Sequence, residues 1–318
     1  MDGRRRDLIT RVAKMYYIED KSQSEIASAL KMSRSNVSKL LKASRDQGIV
    51  EIRIHENTSL ASILREKMER HFELKSCVIV ETLETEERTK MSLGQAGAEL
   101  LKHYLSDGIS LGISWGTSVF YAVRAFQLSQ PYKVDIVQLM GGVGARDLSI
   151  DGYRLAHALS GRFEGACYVL QAPLIVQSGE FRELLLKEPD IQLVFRQFPN
   201  VNIGLIGLGS NYPESSSLVR AGYLSKNETK YLVDQGAVGN IMGRHIDRDG
   251  NACDIPLNDR IVGIELEQFA SIPVRIGLAS GKEKGEILLG ALKGGHINCV
   301  VADESVILSL MEIVEKEA

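Results

Sequence analysis

No apolar run in this 318-residue chain approaches the length needed to span a bilayer. The charged start, with Arg4, Arg5 and Arg6, is not followed by the apolar stretch of a signal peptide, so a cytoplasmic location is expected. Cysteine is scarce: Cys77, Cys167, Cys253 and Cys299 are far apart, form no Cys-x-x-Cys pair and sit among mostly apolar neighbours. That pattern argues against a disulfide framework or a zinc site and for buried thiols. The six histidines form no metal-like cluster, and no trio of nucleophile, base and orienting group is legible; no metal, cofactor or catalytic site is expected. There is no low-complexity segment and no repeat of fixed period. What is present is a hydrophobic content of 44% in a chain too long for one small domain, so two domains are expected.

The most informative stretch is residues 23–45. Ile26, Ala27 and Leu30 fall on one face of a first short helix, and Val37, Leu40 and Leu41 on one face of a second. Lys31, Met32 and Ser33 make the turn between them, with Met32 as an apolar plug and Ser33 as a hydroxyl able to cap the next helix near Arg34. Lys31 stands where many such turns place glycine. The second helix then turns Arg34, Ser35, Asn36, Ser38, Lys39 and Lys42 outward, and with Ser33 these are the candidate contacts to phosphates and base edges of duplex DNA. Leu8, Ile9, Val12, Met15 and Tyr16 supply an earlier helix to pack behind the pair. After Gly48, a helix stop, the branched run Ile49–Ile54 reads as a strand, completing a winged helix-turn-helix. Residues 1–54 carry twelve Lys and Arg against seven Asp and Glu, a net of +5, in a chain whose total is −3. Cationic character is therefore concentrated where phosphates would be met. A structural subdomain with a solvated polar face would share the pattern and stays open at this point.

Leu60, Ile63, Leu64, Met68 and Phe72 recur at near-helical spacing across Thr58–Leu74, giving a connecting helix that packs on its own body or on a second chain. The expected organisation is a DNA-binding domain over 1–55, a linker helix over 56–75 and a larger domain over 76–318.

Beyond residue 76, β-rich runs alternate with helical ones. Strands are expected over 77–80, 109–113, 134–139, 167–170, 202–206, 239–246, 274–278 and 299–302, and helices over 86–105, 118–126, 153–159, 181–186, 226–235, 284–292 and 304–314. Such alternation implies a doubly wound α/β fold with a largely parallel sheet, in which ligands sit at the strand exits. Four glycine-bearing segments follow strands: Ser114–Ser118, Gly141–Gly144, Gly207–Ser210 and Ala279–Lys284. Gly116, Thr117 and Ser118 make the best anion cradle, since a glycine permits close approach and a helix start presents unpaired amides. Lys284 sits at a helix start where its charge is unfavourable unless an anion or carboxylate offsets it. Asp247 and Asp249 close a strand in a turn suited to accepting hydrogen bonds from sugar hydroxyls; a plain Asp-Gly turn is the alternative. Asp303 is a candidate helix cap.

Taken together, Ser33–Leu41, Gly48-Ile49-Val50, Gly112–Thr117 and Lys284–Ala302 with Ala291-Leu292-Lys293-Gly294-Gly295 resemble the SorC family of sugar-responsive bacterial transcriptional regulators. The resemblance implies a winged DNA-binding domain followed by an effector domain similar to sugar-phosphate isomerases and deaminases, a phosphorylated sugar as effector, operator DNA as partner, and assembly into dimers or tetramers. It also implies that Trp115, Gly116, Thr117 and Ser118 surround the effector phosphate, that Gly142 and Gly144 line the site, that Lys284 meets the anion, and that Asp151, Asp247 and Asp249 contact the ligand. The stretch Ser149–Gly152 departs from the amide-bearing family pattern. The expected protein is thus not an enzyme. A sugar-phosphate isomerase or deaminase with an accessory helical head, using Asp247 or Asp249 as base, is the alternative, and a dimerisation module with an empty pocket is a third reading.

Overall fold

Apolar residues three apart along the first helix, α1 (Gly3–Tyr17), put Ile9, Val12 and Met15 on one buried face. Ser22 opens α2 (Gln23–Ala29) with a reciprocal cap: its hydroxyl accepts from the Glu25 amide at 3.3 Å while the Glu25 carboxylate accepts from the Ser22 amide at 2.8 Å. Lys31 takes φ 51°, the left-handed conformation that glycine supplies elsewhere. Ser33 caps α3 (Arg34–Asp46) by accepting from the Asn36 amide at 3.2 Å, an interaction worth about 1 kcal/mol. Ile26, Val37, Leu40 and Leu41 close a core with the α1 residues, and Met32 packs against it. Gly48, at φ 66°, ends α3, and the amides of Ile49 and Val50 both bond to the Ser44 carbonyl. The computed structural model describes residues 3–50, 59–128, 132–143 and 150–317. The wing strand expected over 49–54 lies outside the described residues from 51 onward.

The chain divides into two units, Met1–Asn57 and Thr58–Ala318. The second begins with α4 (Leu60–His71), capped by Ser59. Leu64 and Met68 of α4 are buried in the body's own core, and Lys67 pairs with Glu315 at 3.1 Å. The connecting helix therefore packs on its own body. There follow β1 (Ser76–Val80), α5 (Glu86–His103), β2 (Ile109–Ile113), α6 (Thr117–Ala125), β3 (Val134–Gln138), α7 (Gly152–Ser160), β4 (Cys167–Tyr168), α8 (Gly179–Leu185), α9 (Pro189–Phe195), β5 (Ile203–Ser210), α10 (Ser217–Arg220) and α11 (Lys226–Asp234). The rest is β6 (Gly239–Ile241), β7 (Arg244–Ile246), α12 (Leu266–Ala270), β8 (Val274–Ala279), α13 (Gly285–Lys293), β9 (Cys299–Asp303) and α14 (Glu304–Glu317).

Parallel pairing orders the main sheet β1-β9-β8-β5-β2-β3-β4, with β6 antiparallel to the end of β5 and β7 antiparallel to β6. The inner strands are buried on both faces, which is why their sequences read as continuous apolar runs such as Cys299–Ala302. Helices α5, α6 and α7 pack side by side as one layer and α4, α14 and α13 as another. From β2 the chain winds outward to β3 and β4; it then returns to the other side of β2 with β5 and winds the opposite way through β8 to β9. The order reverses between β2 and β5, where a doubly wound sheet opens a crevice at its carboxyl edge.

Two expectations are corrected here. The single strand expected over 239–246 is a hairpin, because Met242 (φ 51°) and Gly243 (φ 85°) form a turn of two left-handed residues. The glycine segment Gly207–Ser210 is not a loop but the end of β5: Gly207 pairs with Leu278, and Leu208, Gly209 and Ser210 pair with β6. Helices α9, α10 and α12, each of seven residues or fewer, were not anticipated.

Candidate functional site

The crevice between β2 and β5 is lined at the β2 exit by Ser114–Ser118, at the end of β5 by Gly207–Gly209, and at its rim by Ser217, Asn240, Met242 and Lys284. Gly116 is the residue before α6 and holds φ 131°, a conformation that L side chains rarely adopt. Having no side chain, it cannot cap the helix, and no side-chain cap is present. The first amides of α6 thus remain open toward the crevice, together with the positive end of the helix dipole. Ser114 ties the two central strands, its hydroxyl accepting from the Gly207 amide at 3.3 Å. The Trp115 indole donates to the Gly141 carbonyl at 2.9 Å, so its ring braces the neighbouring loop.

Opposite these amides stands Lys284. Its ammonium donates to the Leu208 carbonyl at 2.7 Å, is almost wholly buried, and has no carboxylate partner among the described residues. Burial first, then repulsion from Lys90, pulls it down to about 8, with Arg220 adding to the fall and Glu283 and Asp303 opposing it. A buried cation without a counter-charge is unfavourable, and an anion placed between it and the α6 amides would offset that cost. The loop carrying Lys284 is fixed by Asp303, which accepts from the Gly281 amide at 2.9 Å and the Thr82 hydroxyl at 2.8 Å while also accepting from the Ser305 amide at the start of α14. The expected cap is therefore also a loop anchor.

Of the residues anticipated for ligand contact, the structure gathers Trp115, Gly116, Thr117, Ser118 and Lys284 around one crevice. It does not gather the others. Asp151 caps α7 and braces the glycine loop, accepting from the amides of Tyr153 at 3.0 Å and Val143 at 2.8 Å. The Gly142 carbonyl accepts from the Tyr223 hydroxyl at 2.6 Å, and the residue does not line the crevice. Gly144 lies outside the described residues. Asp247 accepts from the Asp249 and Asn251 amides within its own turn, and Asp249 pairs with Lys293 at 3.3 Å. Lys293 ends α13, whereas Lys284 precedes it, so Asp249 lies on the order of 13 Å along the helix from the Lys284 backbone, and Asp247 packs beside Gly290 in the middle of α13. Conversely, Asn240 and Met242 line the crevice without having been singled out; their strand gave no sign of the hairpin that brings them there.

In the head, Ser33, Arg34, Ser35, Asn36, Ser38, Lys39 and Lys42 are all exposed, while Val37, Leu40 and Leu41 are buried. No ion pair among the described residues neutralises Arg34, Lys39, Lys42 or Arg45, which leaves their donors available to an anionic surface.

Comparison with known proteins adds the following. The Sugar-bind family, a sugar-binding domain, matches residues 56–312. The deoxyribonucleoside regulator of Bacillus subtilis is 30% identical over 308 residues, covering 96% of this chain and 97% of that protein. The transcriptional regulator LsrR of Enterobacter sp. (strain 638) is 29% identical, over 94% of this chain and 91% of that protein. Among solved structures, the full-length sorbitol operon regulator SorC from Klebsiella pneumoniae superposes with a TM-score of 0.84 at 29% identity, over 98% of this chain and 99% of that one.

Proposed function

The chain belongs to the SorC family of sugar-responsive bacterial transcriptional regulators, and from that premise we propose that it controls a carbohydrate-utilisation operon in response to a phosphorylated sugar. In this reading residues 1–55 read operator DNA, 56–75 connect, and 76–318 take the effector and form the oligomer. The observation that carries it is Lys284: a buried ammonium, unpaired by any carboxylate among the described residues, lining a crevice at the sheet's switch point together with the uncapped start of α6. A phosphate monoester supplies the missing charge and accepts from both sides. Regulation follows from population shift, because an effector that prefers one arrangement of the protein shifts its occupancy of DNA by the difference in affinity, and a tenfold preference is worth about 1.4 kcal/mol.

The enzymatic alternative needs a general base at the ligand. Asp247 and Asp249, its candidates, point to their own turn and to Lys293, and no Asp, Glu or His is among the described lining of the crevice. The regulatory reading is tested by gel shift of the purified chain on its adjacent promoter at low salt, with and without a panel of sugar phosphates. A shifted band whose position or affinity responds to a phosphorylated sugar is expected; no binding at low salt, or a response to free sugars alone, overturns it.

A further inference from the structure

The crevice at the exits of β2 and β5 is small, with a free volume of about 30 Å³, where one water takes roughly 10–15 Å³. Lys284 enters it as an ammonium with three N–H donors. Among the described residues a single acceptor, the Leu208 carbonyl at 2.7 Å, receives one of them. Lys90 and Arg220 repel the charge, Lys90 the more strongly, while Glu283 and Asp303 attract it. Asp303 is occupied elsewhere, by the Gly281 amide, the Thr82 hydroxyl and the Ser305 amide.

A carbamate at the same nitrogen reverses each of these mismatches. Its nitrogen keeps one N–H, the number that the Leu208 carbonyl is placed to accept. Carbon dioxide adds three heavy atoms, a small group for a space of roughly two to three waters. The new carboxylate is attracted by Lys90 and Arg220 where the ammonium is repelled. Burial opposes an anion as it opposes a cation unless donors offset it, and donors are at hand: Thr117 and Ser118, with their hydroxyls and the uncapped start of α6, line the same crevice. The nucleophile is available as well. At pH 8 about half of a group titrating near 8 is the neutral amine, against roughly 0.4% of an ordinary lysine at about 10.4.

We propose that Lys284 is a carbamylation site that takes carbon dioxide, and that the carbamate and an external anion exclude each other from the crevice. The neutral amine attacks the carbon of CO2: an N–C bond forms, one C=O electron pair moves onto oxygen, and a nitrogen proton leaves to solvent, with no oxidant or reductant consumed. The exchange turns a cation into an anion at one atom's remove. The modification stands apart from the phosphorylated-effector reading. Only the mutual exclusion draws on that reading, and it makes dissolved CO2 an antagonist of the effector.

The test incubates the full chain at pH 8 with carbon-13 bicarbonate, which supplies CO2, and reads the carbamate carbon by NMR; trapping with triethyloxonium ion then locates the label by peptide mass spectrometry. Lys284 is expected to carry at least tenfold more label than any other lysine. The α-amino group, which titrates in the same range, is the internal comparison. In Lys284→Arg, which keeps the charge but loses the amine, the resonance is expected to fall to the share of the α-amino group; the peptide map of the unaltered chain stands however that variant folds. Label confined to the α-amino group, or spread evenly over the lysines, overturns the site. Saturating inorganic phosphate, its binding checked by calorimetry, is expected to lower the Lys284 carbamate at least fivefold, and phosphate that binds without lowering it overturns the exclusion. A Lys284 carbamate in a chain that does not bind phosphate upholds the modification and removes the phosphate cradle instead, so the two failures are distinguishable.

Discussion

Single side chains carry the charge logic of the body. Lys284 has given up water for one carbonyl oxygen, and replacing such a group by an apolar residue of similar length removes a desolvation cost along with the binding contact. Lys284→Met is therefore expected to keep or raise the melting temperature while weakening inorganic phosphate at least tenfold, as read by calorimetry and thermal unfolding. Since the ammonium titrates near 8 in the free protein, anion affinity is expected to fall as pH rises past that value. His245 makes a separate prediction. It is wholly buried in β7 with neither ring nitrogen fully hydrogen-bonded, and burial pulls it down to about 4 against a weak backbone contact at Gly243. An unfolded histidine titrates near 6.5. Between about 6.5 and 4 the unfolded chain binds a proton that the folded chain refuses, so stability falls as pH falls through that window, by roughly 3 kcal/mol in all. Urea unfolding at pH 7.5 and pH 4.5 should show a smaller acid loss for His245→Leu than for the parent; equal losses would remove His245 as a cause.

Among the elements, α3 is the proposed DNA-reading helix, and its exposed face gives the sharpest test. Lys39→Ala is expected to weaken operator binding and reduce the salt slope by about one if Lys39 meets a phosphate, or to relax base preference if it meets a base edge, as measured by anisotropy across a salt series. Ser33→Ala removes the α3 cap and should cost the head about 1 kcal/mol without touching effector binding. Helix α3 was legible in the sequence because its apolar spacing, its serine cap and its glycine stop all agree. The long strands were legible too, since Ile109–Ile113 and Cys299–Asp303 are apolar runs bounded by polar ones. The hairpin β6–β7 was not, because its Met-Gly turn lacks the Asn-Gly or Asp-Gly signature and Met242 adopts its left-handed conformation only through context. Asp247 and Asp249 looked like ligand contacts for the related reason that a strand exit in sequence does not say which end of a neighbouring helix it meets. Here that end carries Lys293. Asp151 was expected, from the family resemblance, to contact the ligand, yet its partners, the Val143 and Tyr153 amides, make it a brace.

At the scale of the whole chain, the two hydrophobic cores are very unequal: a handful of residues around Ile26 and Val37 in one unit, and in the other a continuous core from Leu64 to Met311. Calorimetry is expected to resolve a small, low-temperature transition and a larger one. A sugar monophosphate that binds the native body should raise the larger alone, by RT ln(1 + [L]/Kd), about 2.7 kcal/mol at a hundredfold excess over Kd. A ligand that moves both equally would mean that the units unfold as one. Because α4 contributes Leu64 and Met68 to the body, its melting belongs with the larger transition.

The bare glycine ahead of α6 has an evolutionary corollary. In the proposed cradle, recognition of charge relies on main-chain N–H groups, which every substitution along that helix except proline preserves, whereas the crevice rim is furnished by replaceable side chains such as Ser217, Asn240 and Met242. On that proposal, paralogues that keep Gly116 and Lys284 can diverge toward new metabolites through changes at the rim while inheriting the demand for an acid ester intact.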